Sequence, residues 1–249
     1  MSQFTRILIA FLVTTTTALA VNTTEPSPFW SGIKAYEQGD YAAAKTNFLT
    51  ALKANETAAV RHDLGLTELQ LGHPTEAIWQ LERALLLDPL NADYREKLNL
   101  VREQLGLPAI TRKWYFSFSQ IVSLNVWIIA ATVSFWLLLA AWILLSPSEG
   151  KSGSRIKLLR LFILLILLLS LVAIWLNLET LKTGIVLSTE NASLHAAPAT
   201  AAPEIGFARP GERLRMLDQH NDFYEVKTRE GSTTGWISKD NFRLLTLKK

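Results

Sequence analysis

The chain has 249 residues, a formal net charge of +3 and no cysteine. Without thiols, disulfides, thiolate metal sites and cysteine nucleophiles are excluded, and His62, His73, His195 and His220 lack metal-ligand spacing. The pI near 9.1 does not imply nucleic-acid binding, because the segment before residue 107 is acidic on balance and much of the basic excess flanks two apolar runs.

Residues 1–20 read as a secretory signal: Arg6, the apolar stretch Ile7–Val13, a threonine run and the small-residue site Ala18-Leu19-Ala20. Cleavage after Ala20 is expected. An uncut segment would still deliver the following residue outside the cytoplasm.

Over residues 25–107 the chain repeats itself. Gly32, Gly39, Ala44, Phe48 and Ala51-Leu52 recur as Gly65, Gly72, Ala77, Leu81 and Ala84-Leu85, a period of about 33 residues that falls in the helical-repeat range. In each copy small residues stand where two antiparallel helices must approach, a glycine ends the first helix, and Asp40 or Pro74 opens the second. A further helix, Ala92 to Leu105, places Tyr94, Leu98, Val101 and Leu105 on one side and charge on the other, the pattern of a cap over the last repeat. The pattern Gly32 to Tyr41 with Ala44, and Leu64-Gly65, Leu71-Gly72, Ala77, Ala84-Leu85 and Asp88-Pro89, resembles the tetratricopeptide repeat. Asn55-Glu56 departs from its usual acidic-Pro ending. The resemblance implies that Phe29, Ile33, Tyr36 and Glu37, then His62, Leu66, Leu69 and Gln70, face the concave side. That surface suits an apolar helix or an extended segment, and packing between helices explains several of the same side chains equally well. The basic residues of a chaperone-type carboxylate clamp are missing there.

Two apolar runs follow. Residues 117–145 and 158–178 each supply the roughly 20 residues that cross a hydrocarbon core, and residues 146–157 between them carry Lys151, Arg155 and Lys157 against Glu149, with Arg160 just beyond. Positive loops stay in the cytoplasm, so both flanking domains are expected outside it. Trp114, Tyr115 and Trp142 lie near the ends of the first run, while Trp127 and Trp136 fall inside it. No Asp, Glu, Lys, Arg or His lies between Lys113 and Glu149 or between Arg160 and Glu179, which argues against an ion or proton path.

Over residues 184–247 the period changes to short alternating strands. Ile185-Val186-Leu187, Arg213–Leu217, Phe223–Lys227 and Thr234–Ile237 are separated by Pro210-Gly211-Glu212, His220-Asn221-Asp222 and Glu230-Gly231. A small antiparallel barrel is expected. Its spacing is similar to that of bacterial SH3-type domains, with Ser193 to Pro198 standing where the family carries Asn-Val-Arg-x-x-Pro and His195 replacing the arginine. The resemblance implies binding of cell-wall peptides or protein tails, with His195, Tyr224 and Trp236 as the ligand surface. Trp236 and Val226 are also the kind of residues that fill so small a core.

The expected class is thus a multidomain membrane protein: an all-α tetratricopeptide repeat, two transmembrane helices and an all-β SH3-like barrel. No nucleophile elbow, phosphate loop or paired-histidine motif is present, so neither a catalytic site nor a cofactor is expected. The order of modules is similar to that of the E-type (BatE) proteins of the Bat operons, the aerotolerance-associated gene clusters. That resemblance implies partners among membrane proteins with von Willebrand A domains and, indirectly, a MoxR-type ATPase, in an envelope stress complex. The expected function is a non-catalytic adaptor in the bacterial inner membrane, both soluble domains periplasmic. The rival expectation is a wall-attachment protein that binds peptidoglycan through its barrel.

Overall fold

The computed structural model describes residues 27–110, 122, 124–144, 153–228 and 233–245. The signal segment 1–20, Trp114, Tyr115, Glu149, Lys151 and the turn Glu230-Gly231 lie outside the described residues.

Among the described residues, five helices precede the apolar hairpin: α1 Pro28–Glu37, α2 Tyr41–Ala54, α3 Ala58–Gln70, α4 Pro74–Leu87 and α5 Ala92–Gln104. Their starts are chemically marked. The side chains of Asp40, Thr57 and Asn91 accept from the backbone N–H three residues on, at 3.0, 3.3 and 3.3 Å, and Pro28 and Pro74 occupy first turns where a missing N–H costs nothing. α1 and α3 stop at Gly39 and Gly72, whose φ values of +78° and +79° require glycine. α5 stops the same way at Gly106, φ +65°, so the expected cap is by its ending a third copy of the repeat's first helix. Phe48 crosses α1 at Gly32, where a Cβ would stand 2.6 Å from its ring.

The hairpin consists of α6 Leu124–Leu144 and α7 Gly153–Leu181. At 1.5 Å per residue they are about 31 and about 43 Å long, enough for a hydrocarbon core of about 30 Å. Most large side chains on both face outward, Trp136, Trp142, Leu161 and Trp175 among them. Ser134 and Ala141 on α6 and Ile163, Ser170, Ala173 and Leu176 on α7 are buried in the seam, which lets the backbones come close. Residues 153–157, read from their charge as connecting loop, belong to the helix. Arg and Lys are good helix formers, so the charge marks depth rather than the helix end. Only Lys182 separates α7 from the first strand. Arg215 pairs with Glu179 at 2.8 Å across that junction, and the Met216 N–H donates to the Lys182 carbonyl at 2.6 Å.

Seven strands form one antiparallel sheet: β1 Thr183–Val186, β2 Ala192–His195, β3 Glu204–Ala208, β4 Arg213–His220, β5 Phe223–Lys227, β6 Thr234–Ser238 and β7 Phe242–Leu244, in the order β3-β2-β6-β5-β4-β1-β7. The two end strands meet in a common core, Ala208 of β3 and Phe242 of β7 packing with Val186, Leu194, Leu214, Val226 and Ile237. β2, β3 and β7 escape the sequence reading because they are only 4, 5 and 3 residues long, and in β2 and β3 the small residues Ala192, Gly206 and Ala208 weaken the apolar alternation.

Read as sequence, the repeats and the barrel are separate modules on one tether; in the structure they share a core. Ile78, Trp79, Leu107 and Ile110 of the helical part pack with Ile185, Leu187 and Leu245 of the barrel. β1 is therefore covered on both faces, Ile185 toward the repeats and Val186 toward the barrel interior. α4 is buried from Ala77 through Leu85 without a break, because α3, α5 and the barrel enclose it on different sides. Around the apolar centre, Thr75 donates to the Leu187 carbonyl at 3.0 Å, Trp79 Nε1 to Leu244 at 3.1 Å and Arg83 to Leu245 at 3.3 Å. Arg243 pairs with Glu76 at 2.9 Å, and Arg213 with the fully buried Glu82 at 3.5 Å. The Pro210-Gly211 turn inserts beside α5, where Arg102 donates to the Gly211 carbonyl at 3.4 Å. Two domains that touch lie on one side of any membrane the hairpin crosses.

Candidate functional site

Two surfaces carry the expected binding residues, and the joint fixes their relative position. Its electrostatic centre is Trp79, approached by the guanidinium carbons of Arg243, Arg61 and Arg83 at 5.0, 5.1 and 5.4 Å from its ring. Three cations around one indole need a counter-charge, and Glu56 supplies it, accepting from Arg61 at 2.8 Å and from Arg83. Burial alone would raise the Glu56 carboxyl. Hydrogen bonds from Arg83 and the charges of Arg61 and Arg83 outweigh that and hold it below its ordinary 4.5.

On the repeats, the expected concave residues divide into four groups. Phe29, Ile33 and Tyr36 are half-buried and pack against the core of the first repeat. Leu69 leans on the core shared with the barrel. His62 is not presented at all: it is buried, its Nδ1 lies 2.8 Å from Asp63, and the Tyr94 ring of α5 stacks over it at 4.5 Å. The capping helix covers the position that an open-ended array would expose. What remains accessible is a narrower strip of Glu37 and Gln70, both exposed, beside half-buried Tyr36 and Leu66. Burial lifts the Tyr36 phenol above its usual value, against an opposing interaction with the Gln70 side chain.

On the barrel, the structure brings together two of the three expected ligand residues. His195 of β2 and Trp236 of β6 are direct cross-strand partners, and Trp236 stands on the face opposite buried Ile237 and Val226. A core role for Trp236 is thereby corrected. His220 meets the Trp236 ring edge-on at 6.4 Å, and Phe223 meets His195 at 6.2 Å. Tyr224 is on the other side of the sheet. It packs against the barrel core with Phe242 at 5.7 Å, and Lys239 Nζ lies 5.5 Å from its ring centre. Strand alternation separates it from His195 and Trp236.

Beside His195 opens a cleft of about 500 Å³ whose lining comes entirely from the barrel, including Ser188, Glu190, Asn191, Glu204, Phe223 and Asn241. Hydroxyls, amides and two carboxylates line it without a lysine or arginine, a set that accepts from amine, amide and hydroxyl groups and disfavours anions. Sequence reasoning missed Glu190 and Glu204. The run Ser188-Thr189-Glu190-Asn191 is legible as a turn, but nothing in a turn's composition says that it walls a cleft.

Comparison with known proteins agrees with this division. Residues 31–94 match the family model described as Tetratricopeptide repeat, and residues 190–242 match the one described as Bacterial SH3 domain. Over 62 residues the chain is 34% identical to "Probable cell wall amidase LytH" from two strains of Staphylococcus epidermidis, an alignment that covers 25% of this chain and 21% of each relative. The match thus spans about a fifth of those relatives. Of the apolar residues that meet in the joint, Ile78 and Trp79 lie in a matched range, whereas Leu107, Ile110, Ile185, Leu187 and Leu245 fall outside both. The chain carries a tetratricopeptide repeat region, two helices long and apolar enough to cross a membrane, and a bacterial SH3 domain.

Proposed function

We propose that the chain is a non-catalytic membrane-tethered adaptor that holds two extracytoplasmic binding surfaces in one fixed geometry. The observation that carries this reading is the joint: a shared apolar core ringed by six polar contacts between repeats and barrel. Surfaces held rigidly pay little ordering entropy on binding, so two weak contacts to one assembly add up to a stable one. Tethering by the hairpin further raises the local concentration of membrane-bound partners.

The basic residues between the spans favour the cytoplasmic side for that end, and the contact between the domains supports a reading in which both lie outside it. In this reading the chain is a two-pass protein of the bacterial inner membrane, periplasmic on the domain side, after cleavage of its signal. The order of modules supports partners among membrane proteins with von Willebrand A domains and, through them, a MoxR-type ATPase of an aerotolerance complex. Crosslinking native membranes and purifying a tagged chain tests this. Recovery of such proteins from the parent, and their loss in Glu37→Arg with Gln70→Ala, supports the adaptor; unchanged recovery rejects the strip as the contact.

A second reading, attachment to the cell wall, is favoured by the anion-averse cleft and by the partial likeness to a protein named as a cell wall amidase. Sedimentation of the purified full chain with sacculi tests it. The barrel alone is the wrong reagent, since Ile185 and Leu245 would lose their cover. Failure of the full chain to sediment rejects wall binding.

A further inference from the structure

We propose that the loop-side end of the hairpin holds one anionic phospholipid, its phosphate against Lys157 and Arg160 and its acyl chains in the groove between α6 and α7. The proposal rests on the reading of both helices as membrane-crossing. A furrow of about 510 Å³ runs beside the seam at this end, walled by Phe135, Leu138 and Trp142 of α6 and by Leu161 and Leu164 of α7. From Phe135 to Trp142 is seven residues, about 10 Å of helix, the depth of a glycerol backbone and the first acyl carbons.

The rim of the furrow differs from its walls. Lys157 and Arg160 are its two charged lining residues, three apart on one face of α7. Arg160 donates to the Ala141 carbonyl at 2.7 Å, which holds the guanidinium at the mouth of the groove instead of leaving it to sweep through solvent. Lys157 is exposed, and no described carboxylate pairs with it. The apolar span of α7 begins at Ile156, so both cations sit in its first turns, level with the phosphate layer. Lys151 and Arg155 add charge nearby in sequence. This is the side that positive loops occupy, and the leaflet there is the anionic one. The shared chemistry is a phosphate anion. A free phosphate would touch the rim and leave the apolar walls bare, whereas a phospholipid covers both.

The test begins with alkaline extraction of native membranes. Release of the chain overturns both the membrane-crossing reading and this proposal; retention leaves the lipid to be decided alone. The full chain is then purified in mild detergent, offered equal amounts of phosphatidylglycerol and phosphatidylcholine, and weighed by native mass spectrometry. Selective retention of one phosphatidylglycerol is expected, falling about 5-fold in Lys157→Gln and on the order of 30-fold in Lys157→Gln with Arg160→Gln. Lys157→Gln touches no hairpin contact, and so remains informative if the double variant unfolds. Equal retention of the two lipids, or retention indifferent to Lys157→Gln, overturns the proposal. Displacement by millimolar inorganic phosphate overturns the lipid in favour of a simple anion site.

Discussion

The molecule has two internal seams, built on opposite principles. The joint between repeats and barrel has an apolar centre and a rim of long charged side chains keyed to named partners, Arg213 to Glu82, Arg243 to Glu76 and Arg83 to Leu245. The hairpin seam is closed by Ser134, Ala141, Ser170 and Ala173, with one guanidinium at its end. In water, burying apolar area drives association at about 25 cal/mol per Å², leaving room to order charged groups that set orientation. In the membrane-crossing reading of the hairpin that drive is gone between lipid tails, and close approach of backbones must supply the attraction. Orientation is thus specified where the binding surfaces are, and bare proximity suffices where they are not.

Substitutions should separate the two seams. Arg213→Ala is expected to have the largest effect, because it strips fully buried Glu82 of this ion pair; breaking one buried partner costs about 3–5 kcal/mol. Urea titration of the full chain in detergent should show the joint yielding first, and an unshifted midpoint would refute the pairing. Gly211→Ala is expected to cost about 1–3 kcal/mol, because its φ is +72° and a Cβ would stand 2.7 Å from Ile78 Cδ1. Hydrogen exchange should speed in β1 and α4 while the Phe48 core stays protected. In the hairpin, Ala173→Leu overpacks the seam for a similar or smaller cost, and should lower the detergent resistance of α6 and α7 without touching exchange at the joint.

Acid is the mildest perturbation. Glu56 is held below its ordinary 4.5 when folded, so protonation favours the loosened state. Its contribution is complete above that value and is lost as pH falls through the depressed one. The protection factor of the α4 amides, taken relative to their intrinsic exchange at each pH, should fall on going from about pH 6 to about pH 3, and Glu56→Gln should flatten the response. An equally steep response in the variant would acquit Glu56.

The repeats, hairpin and barrel were legible because each announces itself through local periodicity. The joint was not, since periodicity reports that a face is apolar and not what covers it. Its traces were nevertheless present: Ile185-Val186-Leu187 is apolar without alternation, as a strand covered on both faces must be, and Trp79 sits where a two-helix repeat would face solvent. The binding residues were half legible. Family register located Tyr36, Glu37 and Gln70 on an open strip, yet it could not foresee Tyr94 closing over His62, which depends on how α5 lands. Alternation within β5 already placed Tyr224 beside Val226 on the inner face, a conclusion open to the sequence alone once Val226 is taken as core.

The junction of α7 with β1 has a mechanical consequence. With one residue between helix and strand and an ion pair across it, α7, in the reading that makes it the second span, works as a shaft rather than a tether. A helix that tilts to match a thinner bilayer carries the barrel with it, and through the joint it swings the repeats as the far end of the same lever.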